Sequence, residues 1–241
     1  MPIEHKEKSD ASSNAVSKIL SFIRERRYQP SERLPSERDF ADRFSTSRGA
    51  VREALATLEA MRVIERRPNS GIYLRHSEES SIEALVLHAE SGLSFTRQEI
   101  ANVFEVRRIL EVQAVRLACV RRTPDDLRHL EDILNRTAKQ ISKKRSIAKE
   151  DEEFHLAVFA ATKNDILLRV VKSFYEMSRQ RRRVYFQDQG RGRQSYEEHL
   201  KIVAAIESRR VGQAEQKMDE HLSRTVEAWQ ALLGEPNSKN D

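Results

Sequence analysis

The chain has 241 residues, of which 38% are hydrophobic and 34% charged, so it can bury a sizeable core beneath a well-solvated surface. A single cysteine, Cys119, excludes an internal disulfide, and no signal peptide or bilayer-length apolar run is evident, so we expect a cytoplasmic protein without membrane contact. Residues 11–76 hold 13 basic and 8 acidic side chains, which accounts for the net charge of +5 and predicts a polyanion-binding module joined to a near-neutral body.

The first two predicted elements are helices separated by a proline-containing turn. Apolar residues between Val16 and Ile23 recur at helical spacing, and Pro30 should end this first helix. Ser36, followed by Asp39 three residues later, predicts a capping box at the start of a short second helix.

A third helix and a hairpin complete this module. Ser47 is the expected N-cap of the third helix, whose core-facing stripe ends at Leu58. The stretch VIERRPNSGIYLRH predicts a β-hairpin, with Asn69 and Gly71 suited to positive φ in its turn. Three helices followed by a hairpin predict a winged helix-turn-helix over residues 11–76.

The third helix has the pattern of a DNA-reading helix. Arg48 and Arg52 lie four residues apart beside the core stripe, and arginine matches both guanine edges and phosphates. Small residues at its start would let the helix approach the major groove, while the wing would reach a flanking minor groove. For any single arginine, the alternative is an ordinary solvated position. The residues predicted to contact double-stranded operator DNA are Arg38, Ser47, Arg48, Gly49, Ala50, Arg52, Arg67, Asn69 and Gly71.

Helical periodicity dominates the rest of the chain. We expect a linker and connecting helix over 77–96, an all-helical antiparallel bundle over 97–233 and a flexible tail over 234–241. Ser195 and Glu198 predict a further capping box. The predicted helices cover residues 81–91, 97–121, 124–142, 146–162, 165–186, 195–209 and 211–233.

Three histidines of this region are predicted to point inward. His155, His199 and His221 each share a helical face with apolar residues, and Asp151 precedes His155 by about one turn. Three imidazoles and a carboxylate on three separate helices suit a metal site with nitrogen and oxygen ligands. Taken alone, each histidine is more readily explained as a hydrogen-bonded core residue.

Arg107 is a further charged residue on an apolar helical face. A guanidinium directed at a core requires an anion, which could be Glu111 one turn later or the carboxylate of a small effector. The four arginines within residues 179–183 resemble a solvated helix face more than a pocket, although one of them could turn inward.

The segment LPSERDFADRFSTSRGAVREAL resembles the signature of the GntR family of transcriptional regulators. The resemblance covers residues 13–76 and implies that Arg38, Arg48, Arg52 and Gly71 contact DNA, with Ser47, Gly49 and Ala50 near the bases. Two departures are Ser45-Thr46, where the family usually has a glycine and an aliphatic residue, and Asn69, where glycine is common.

The segments FEVRRILEVQAVRLA, DEEFHLAVFAATKN, EEHLKIVAAI and MDEHL resemble the FCD ligand-binding domain of the FadR-type subfamily. This resemblance implies a homodimeric regulator, most often a repressor, that responds to organic or sugar acids, with an arginine at position 107 in the effector site. It places metal ligands at Asp151, His155, His199 and His221. Zn²⁺ or Ni²⁺ would suit the imidazole-rich set.

The preferred interpretation is therefore a regulator with a metal-assisted pocket for a small carboxylate, such as a hydroxy acid or a sugar acid. One alternative is a metal-sensing regulator in which the ion is the signal, and another is a regulator that responds to acyl-CoA, whose long apolar tunnel would not use these polar residues. A metal-dependent hydrolase is disfavoured because Glu152, the nearest candidate base, should diverge by about 100° from Asp151 on the helix.

Overall fold

The computed structural model describes residues 3–91 and 95–234, with side chains placed over 13–91 and 95–227. The described residues form eleven α-helices and three short strands, which confirms the predicted mainly helical fold with an N-terminal winged helix-turn-helix. The chain divides into two compact units, Met1–Ser94 and Phe95–Asp241. The predicted flexible tail lies outside the described residues, apart from Gly234.

The first unit contains the three predicted helices and the wing. Its three strands form an antiparallel sheet in the order β1-β3-β2, with Arg67 opposite Gly71 at the hairpin end. The two-residue strand β1, which pairs Arg33 with Tyr73, was not predicted. The elements are α1 (Ile3–Glu25), β1 (Arg33–Leu34), α2 (Glu37–Phe44), α3 (Arg48–Ala60), β2 (Ile64–Arg67), β3 (Gly71–Leu74), a 3₁₀ turn (Ser77–Glu79) and α4 (Ile82–Glu90).

The caps of α2 and α3 are the ones that the sequence predicts, whereas the end of α1 differs from the prediction. Ser36 and Asp39 form the predicted capping box, and the Ser47 hydroxyl accepts a hydrogen bond from the Ala50 N–H. The first helix ends at Glu25 rather than running to Pro30. It closes early because Arg27 adopts a left-handed conformation, with φ of 55°.

The core of this unit lies between α1, α2, α3 and the sheet. Ile19, Phe40, Leu55 and Leu58 are fully buried, so the apolar stripe of α3 fixes the rotation of that helix on the unit. Leu87 of α4 packs against the same core, which places the helix expected in the linker with the first unit.

The second unit is a helical bundle in which α5 packs against α7, α8, α10 and α11. Thr123 and Asp126 form a capping box at the start of α6, next to Pro124. None of the helices among the described residues is long and apolar enough to span a membrane. The helices are α5 (Arg97–Arg121), α6 (Pro124–Ser142), α7 (Ala148–Ala160), α8 (Asp165–Met177), α9 (Arg179–Tyr185), α10 (Gln189–Glu207) and α11 (Val211–Gly234).

The helix predicted over 165–186 is interrupted at Ser178. The Tyr175 carbonyl accepts hydrogen bonds from the Ser178 hydroxyl at 3.3 Å and from Arg182 Nη1 at 3.1 Å, whereas a continuous helix would use this carbonyl for a backbone N–H. This interruption separates α8 from α9 and allows the two helices to present different faces to the core.

The capping box predicted at Ser195 and Glu198 is wrong. The helix α10 begins at Gln189, where the Asp188 carboxylate accepts from the Arg191 N–H at 3.0 Å. Ser195 and Glu198 therefore lie inside α10, and their side chains are free to bind residues of other helices.

Candidate metal centre and nucleic-acid interface

The DNA-reading face predicted for α3 is exposed. Arg48 and Arg52 project to solvent, while Val51 between them is fully buried. Arg48 has no side-chain partner among the described residues, so its guanidinium is free to bind. Gly49 is also exposed, but Ala50 is buried at 7% exposure, so the core and not an interface accounts for the small side chain at position 50.

An ion-pair network that sequence reasoning did not predict lies beside α3. Glu37 accepts a hydrogen bond from Arg52 Nε at 3.2 Å and pairs with Arg66 at 3.8 Å. Arg66 Nη2 also donates to the Arg52 carbonyl at 3.3 Å, and Arg66 Nε lies 3.3 Å from Glu59. Glu37 therefore holds Arg52 of α3 and Arg66 of the wing close to each other. Its position in the chain shows no recurrent spacing that could have revealed this role.

A groove between α3 and the wing is lined by six arginines of this unit. Arg38 is exposed and only loosely paired with Asp42, at 3.7 Å, while Arg67 pairs with Glu65 and stacks on Tyr73 at 4.1 Å. The groove is lined by the arginines Arg33, Arg38, Arg48, Arg52, Arg66 and Arg67, together with the wing tip Asn69, Ser70 and Gly71 and a few residues of the α2 entry.

The wing tip has the backbone that the sequence predicts. Asn69 has φ of 56° and Gly71 has φ of 135°. A Cβ at position 71 would lie 2.7 Å from Arg33 Nε, but the exposed Arg33 side chain can move, so the backbone conformation is what favours glycine there. Ser45, where the family usually has glycine, also adopts a left-handed conformation, with φ of 49°.

The four residues predicted to bind a metal converge in the second unit. Asp151 and His155 come from α7, His199 from α10 and His221 from α11, and all four are buried. One potential ligand atom from each residue lies within 4.8 Å of the other three. The His221 Nε2 atom is 3.3 Å from His155 Nε2 and 3.4 Å from His199 Nε2, while Asp151 Oδ1 is 3.6 Å from His199 Nε2.

The buried carboxylate of Glu111 and the partly buried carboxylate of Glu198 fix the orientation of two of these imidazoles. His155 donates its Nδ1–H to Glu111 at 2.5 Å, and His221 donates its Nδ1–H to Glu198 at 2.6 Å. In a neutral imidazole the other nitrogen then carries a lone pair, so two acceptor atoms face each other inside the cluster. A cation between them removes the repulsion. Carboxylates that orient histidine ligands in this way are typical of metal sites.

The spacing of the cluster fits a divalent ion. Ligands held about 2.1 Å from a tetrahedral ion lie about 3.4 Å apart, close to the nitrogen–nitrogen distances observed. Ser195, whose hydroxyl donates to Asp151 Oδ1 at 3.2 Å, supports the carboxylate of the set. The four residues could therefore hold a metal ion with little rearrangement.

Burial keeps the imidazoles of the cluster in the neutral form that a metal requires. It lowers the pKa of His221 to about 4. Burial also lowers the pKa of His155, against the influence of Glu111, and it lowers the pKa of His199 well below the ordinary value, with His221 adding to the effect. At neutral pH no proton competes strongly for the ligand nitrogens.

Arg107 links the cluster to a neighbouring cavity. Its Nε donates to Glu111 at 2.7 Å, and its Nη2 donates to the Tyr175 hydroxyl at 2.9 Å and lies 3.3 Å from His155 Nε2. Glu111 thus accepts from Arg107, His155 and Tyr175. Burial acts to raise the pKa of Glu111, but His155 and Arg107 hold it well below the ordinary value. Glu111, which the sequence suggested as the partner of Arg107, does pair with it. Arg107 nevertheless also lines the neighbouring cavity.

The cavity next to the cluster measures about 30 Å³. Two of the four potential ligands, Asp151 and His221, border it, so an ion would be accessible from this side. The remaining lining is mostly apolar and comprises Val103, Phe104, Phe174, Tyr185 and Phe186, with Ser178, Thr225 and the arginines Arg107, Arg181 and Arg182.

Two arginines of α9 do not form the solvated face that the sequence suggested. Arg182 is buried at 6% exposure, donates to the Ser178 hydroxyl at 2.7 Å and forms an ion pair with Glu152. Glu152 is engaged there and is not part of the four-residue cluster, as its helical position predicts. Arg181 borders the cavity, whereas Arg179 and Arg183 are exposed. The break at Ser178 rotates α9, and periodicity across 165–186 could not reveal that change.

Comparisons with known proteins match both units. Residues 11–74 match the family described as bacterial regulatory proteins, gntR family, and residues 102–224 match the FCD domain. The chain is 30% identical to the HTH-type transcriptional regulator LutR of Bacillus subtilis (strain 168), over 84% of this chain and 93% of that protein. It is 26% identical to the galactonate operon transcriptional repressor of Escherichia coli (strain K12), over 79% and 84% respectively.

Solved structures show the same fold. The structure described as Lar, which controls the agr system of Listeria monocytogenes, aligns with a TM-score of 0.65 at 17% identity, covering 92% of this chain and 97% of that one. The GntR protein of Streptococcus agalactiae aligns with a TM-score of 0.52 at 22% identity, covering 90% and 99%.

Proposed function

The chain belongs to the GntR family of bacterial regulatory proteins and carries an FCD domain, and on that basis we propose that it is a repressor released from its operator by a metal-bound small carboxylate. The proteins of this family are DNA-binding transcriptional regulators and not enzymes. We assign operator binding to residues 11–76, and metal and effector binding to residues 97–233, with two chains forming a homodimer on a two-fold operator.

The observation that carries the proposal is the shared cavity of the metal cluster and Arg107. Asp151 and His221 border this cavity, so the open side of a bound ion would face it. A carboxylate could complete the coordination of the ion while its second oxygen accepts a hydrogen bond from Arg107. The ion would supply positive charge and a coordination position, and the surrounding residues would orient the acid.

The cavity favours a short acid over the other effectors considered. A water molecule needs about 10–15 Å³ of such space, so a cavity of about 30 Å³ suits a compact ligand and has no room for a long acyl chain. The same small volume leaves little space for the longer, fully hydroxylated carbon chain of a sugar acid. We therefore favour a hydroxy acid of few carbons.

For such an acid to regulate DNA binding, it must bind one arrangement of the two DNA-reading helices more tightly than the other. The effector would join α5, which carries Arg107, to α7 and α11, which carry Asp151 and His221. Tightening of these three helices is the change that we expect to reduce operator affinity. In the rival function, binding of the ion alone would produce the same change.

The proposal can be tested with an operator duplex selected by the full-length protein from random-sequence DNA. Fluorescence anisotropy would follow the complex formed by zinc-loaded protein during titration with 2-hydroxy acids of three to six carbons. We expect release by at least one acid, and no release by that acid after metal removal with a chelator. Release on addition of zinc alone would support the metal-sensing alternative, and retention under every condition would refute effector control.

The DNA-reading assignment has its own test. Arg48→Ala should weaken operator binding by about 1–3 kcal/mol, since Arg48 is an unpaired arginine at the exposed edge of α3. Arg62→Asn is the matched control, because Arg62 is exposed but does not line the groove, and asparagine tolerates its left-handed conformation, with φ of 57°. Equal affinity in both variants would contradict the assignment.

A further inference from the structure

We propose that Arg181 binds a second carboxylate of the effector, so that the ligand is a short dicarboxylic acid held between the metal and α9. The proposal rests on the proposed function, because the first carboxylate is the one assigned to the metal and Arg107. It goes beyond that function because it identifies Arg181 as the residue that recognises the second carboxylate of the acid.

Arg181 is a partly buried cation whose side chain has no counterion among the described residues. It lines the same cavity as Arg107 and the metal cluster. Its Nε atom is inaccessible to solvent and has no hydrogen-bond partner, and no carboxylate among the described residues pairs with Arg181. The guanidinium carbon lies 5.2 Å from the centre of the Phe95 ring, and this contact supplies no hydrogen-bond acceptor for the Nε atom.

The neighbouring arginines differ from Arg181 in this respect. Arg107 is paired with Glu111, and Arg182 is paired with Glu152. Burial lowers the pKa of Arg181 to about 10, and the charges of Arg182 and then Arg107 act in the same direction. An anion bound in this cavity would offset the free-energy cost of burying Arg181 and would reduce the repulsion among the three cations.

A carboxylate fits this position better than a neutral group. The planar guanidinium offers parallel N–H donors that match the two oxygens of a carboxylate, and such charge-assisted pairs are the stronger hydrogen bonds. The walls of the cavity include Phe104, Phe174 and Phe186, which suit the carbon chain between two carboxylates. The small volume limits that chain to a few atoms.

The test is calorimetric titration of the zinc-loaded, full-length protein with matched pairs of 2-hydroxy acids. Malate and 2-hydroxybutyrate both have four carbons and a 2-hydroxyl group, and they differ in the second carboxylate. Similar pairs with five and six carbons extend the comparison. We expect the dicarboxylate of at least one pair to bind about tenfold or more tightly than its monocarboxylate partner, as expected for an added charge-assisted contact.

The variant Arg181→Met should abolish this preference, because methionine keeps the apolar stem and removes the charge. Arg183→Met is the matched control. Arg183 lies on the same helix and is exposed, so this variant should keep the parental preference.

The outcomes separate this proposal from the one it rests on. Monocarboxylates that bind as tightly as dicarboxylates in the parent, or a preference that persists in Arg181→Met, would overturn the role of Arg181 and leave the metal-bound carboxylate intact. If no acid of any pair binds the zinc-loaded parent, the proposed function fails together with this inference. The comparison of acids on the parent does not depend on the folding of a variant.

Discussion

His155 and His221 point their Nε2 atoms at each other across 3.3 Å, although each ring donates its Nδ1–H to a different carboxylate. The arrangement is unfavourable for two neutral imidazoles alone, because both facing nitrogens carry lone pairs. It becomes favourable around a cation. Glu111 and Glu198, which set the two rings in this orientation, are therefore as much part of the candidate centre as the four residues that face the ion.

Loss of one orienting carboxylate should weaken metal binding without removing a ligand. In Glu198→Gln the neutral amide oxygen is a weaker acceptor for His221 Nδ1–H than the carboxylate, and we expect about 10–100-fold lower zinc affinity. Competition with a chromogenic zinc chelator measures this change. Glu197→Gln, an exposed neighbour on the same helix, is the control and should bind zinc like the parent. Parental affinity in Glu198→Gln would show that the carboxylate is irrelevant to the centre.

The stability of the metal-free protein should fall with acidification between about pH 6.5 and pH 4. Burial lowers the pKa of His221 to about 4 and lowers the pKa values of His155 and His199 as well. The unfolded chain, whose histidines titrate near pH ~6.5, then binds more protons than the folded chain in this window, so protonation favours unfolding. The stability is fully present above the window and is lost as the pH falls through it.

Urea unfolding of the chelator-treated protein at several pH values measures this dependence. The shift at His221 alone corresponds to about 3 kcal/mol. His221→Asn should flatten the profile, whereas replacement of the exposed His129 by asparagine should leave it unchanged. A free energy of unfolding that does not vary across the window would mean that the imidazoles are not buried in neutral form.

Glycine at the start of α3 should favour DNA binding at the expense of stability. A Cβ at Gly49 would find only the Ser47 hydroxyl, at 3.9 Å, so the protein itself does not require glycine there. Gly49→Leu should raise the free energy of unfolding by about 0.5 kcal/mol through helix propensity. It should also weaken operator binding by about tenfold or more, because the side chain would occupy the space of the groove wall.

The matched control for this substitution is Gly212→Leu. Gly212 holds the same second position in α11 and has open space around it. Thermal unfolding and operator anisotropy should show increased stability for both variants and weaker DNA binding only for Gly49→Leu. Strong operator binding by Gly49→Leu would place the start of α3 away from the DNA.

The two inward arginines of α9 should respond in opposite directions to the same substitution. Arg182→Met leaves Glu152 without its partner and should destabilise the ligand-free protein by about 2–3 kcal/mol. Arg181→Met removes a charge that has no counterion and should stabilise it by about 1 kcal/mol. Denaturant unfolding of both variants checks the contrast. Equal destabilisation would show that Arg181 has an internal partner.

Much of this protein follows from local patterns in the chain. The capping residues Ser36 and Ser47 start their helices as predicted, because a cap is completed within three residues. The inward direction of His155 and His199 also follows from helical periodicity, which assigns each residue to a face of its own helix. The family motifs lie within such segments, and the role of the histidines and of Asp151 as metal ligands stays a prediction.

The tertiary structure decided which of these faces meet. The sequence suggested Glu111 as a partner of Arg107 and Glu198 as part of a cap, and only the packing of α5 on α7 and of α10 on α11 brings them to histidine rings. In the same way, the break at Ser178 turns Arg181 and Arg182 toward the cavity. Periodicity fixes a direction on one helix, but contacts between helices depend on their relative rotation, and that is set by side-chain packing across the whole bundle.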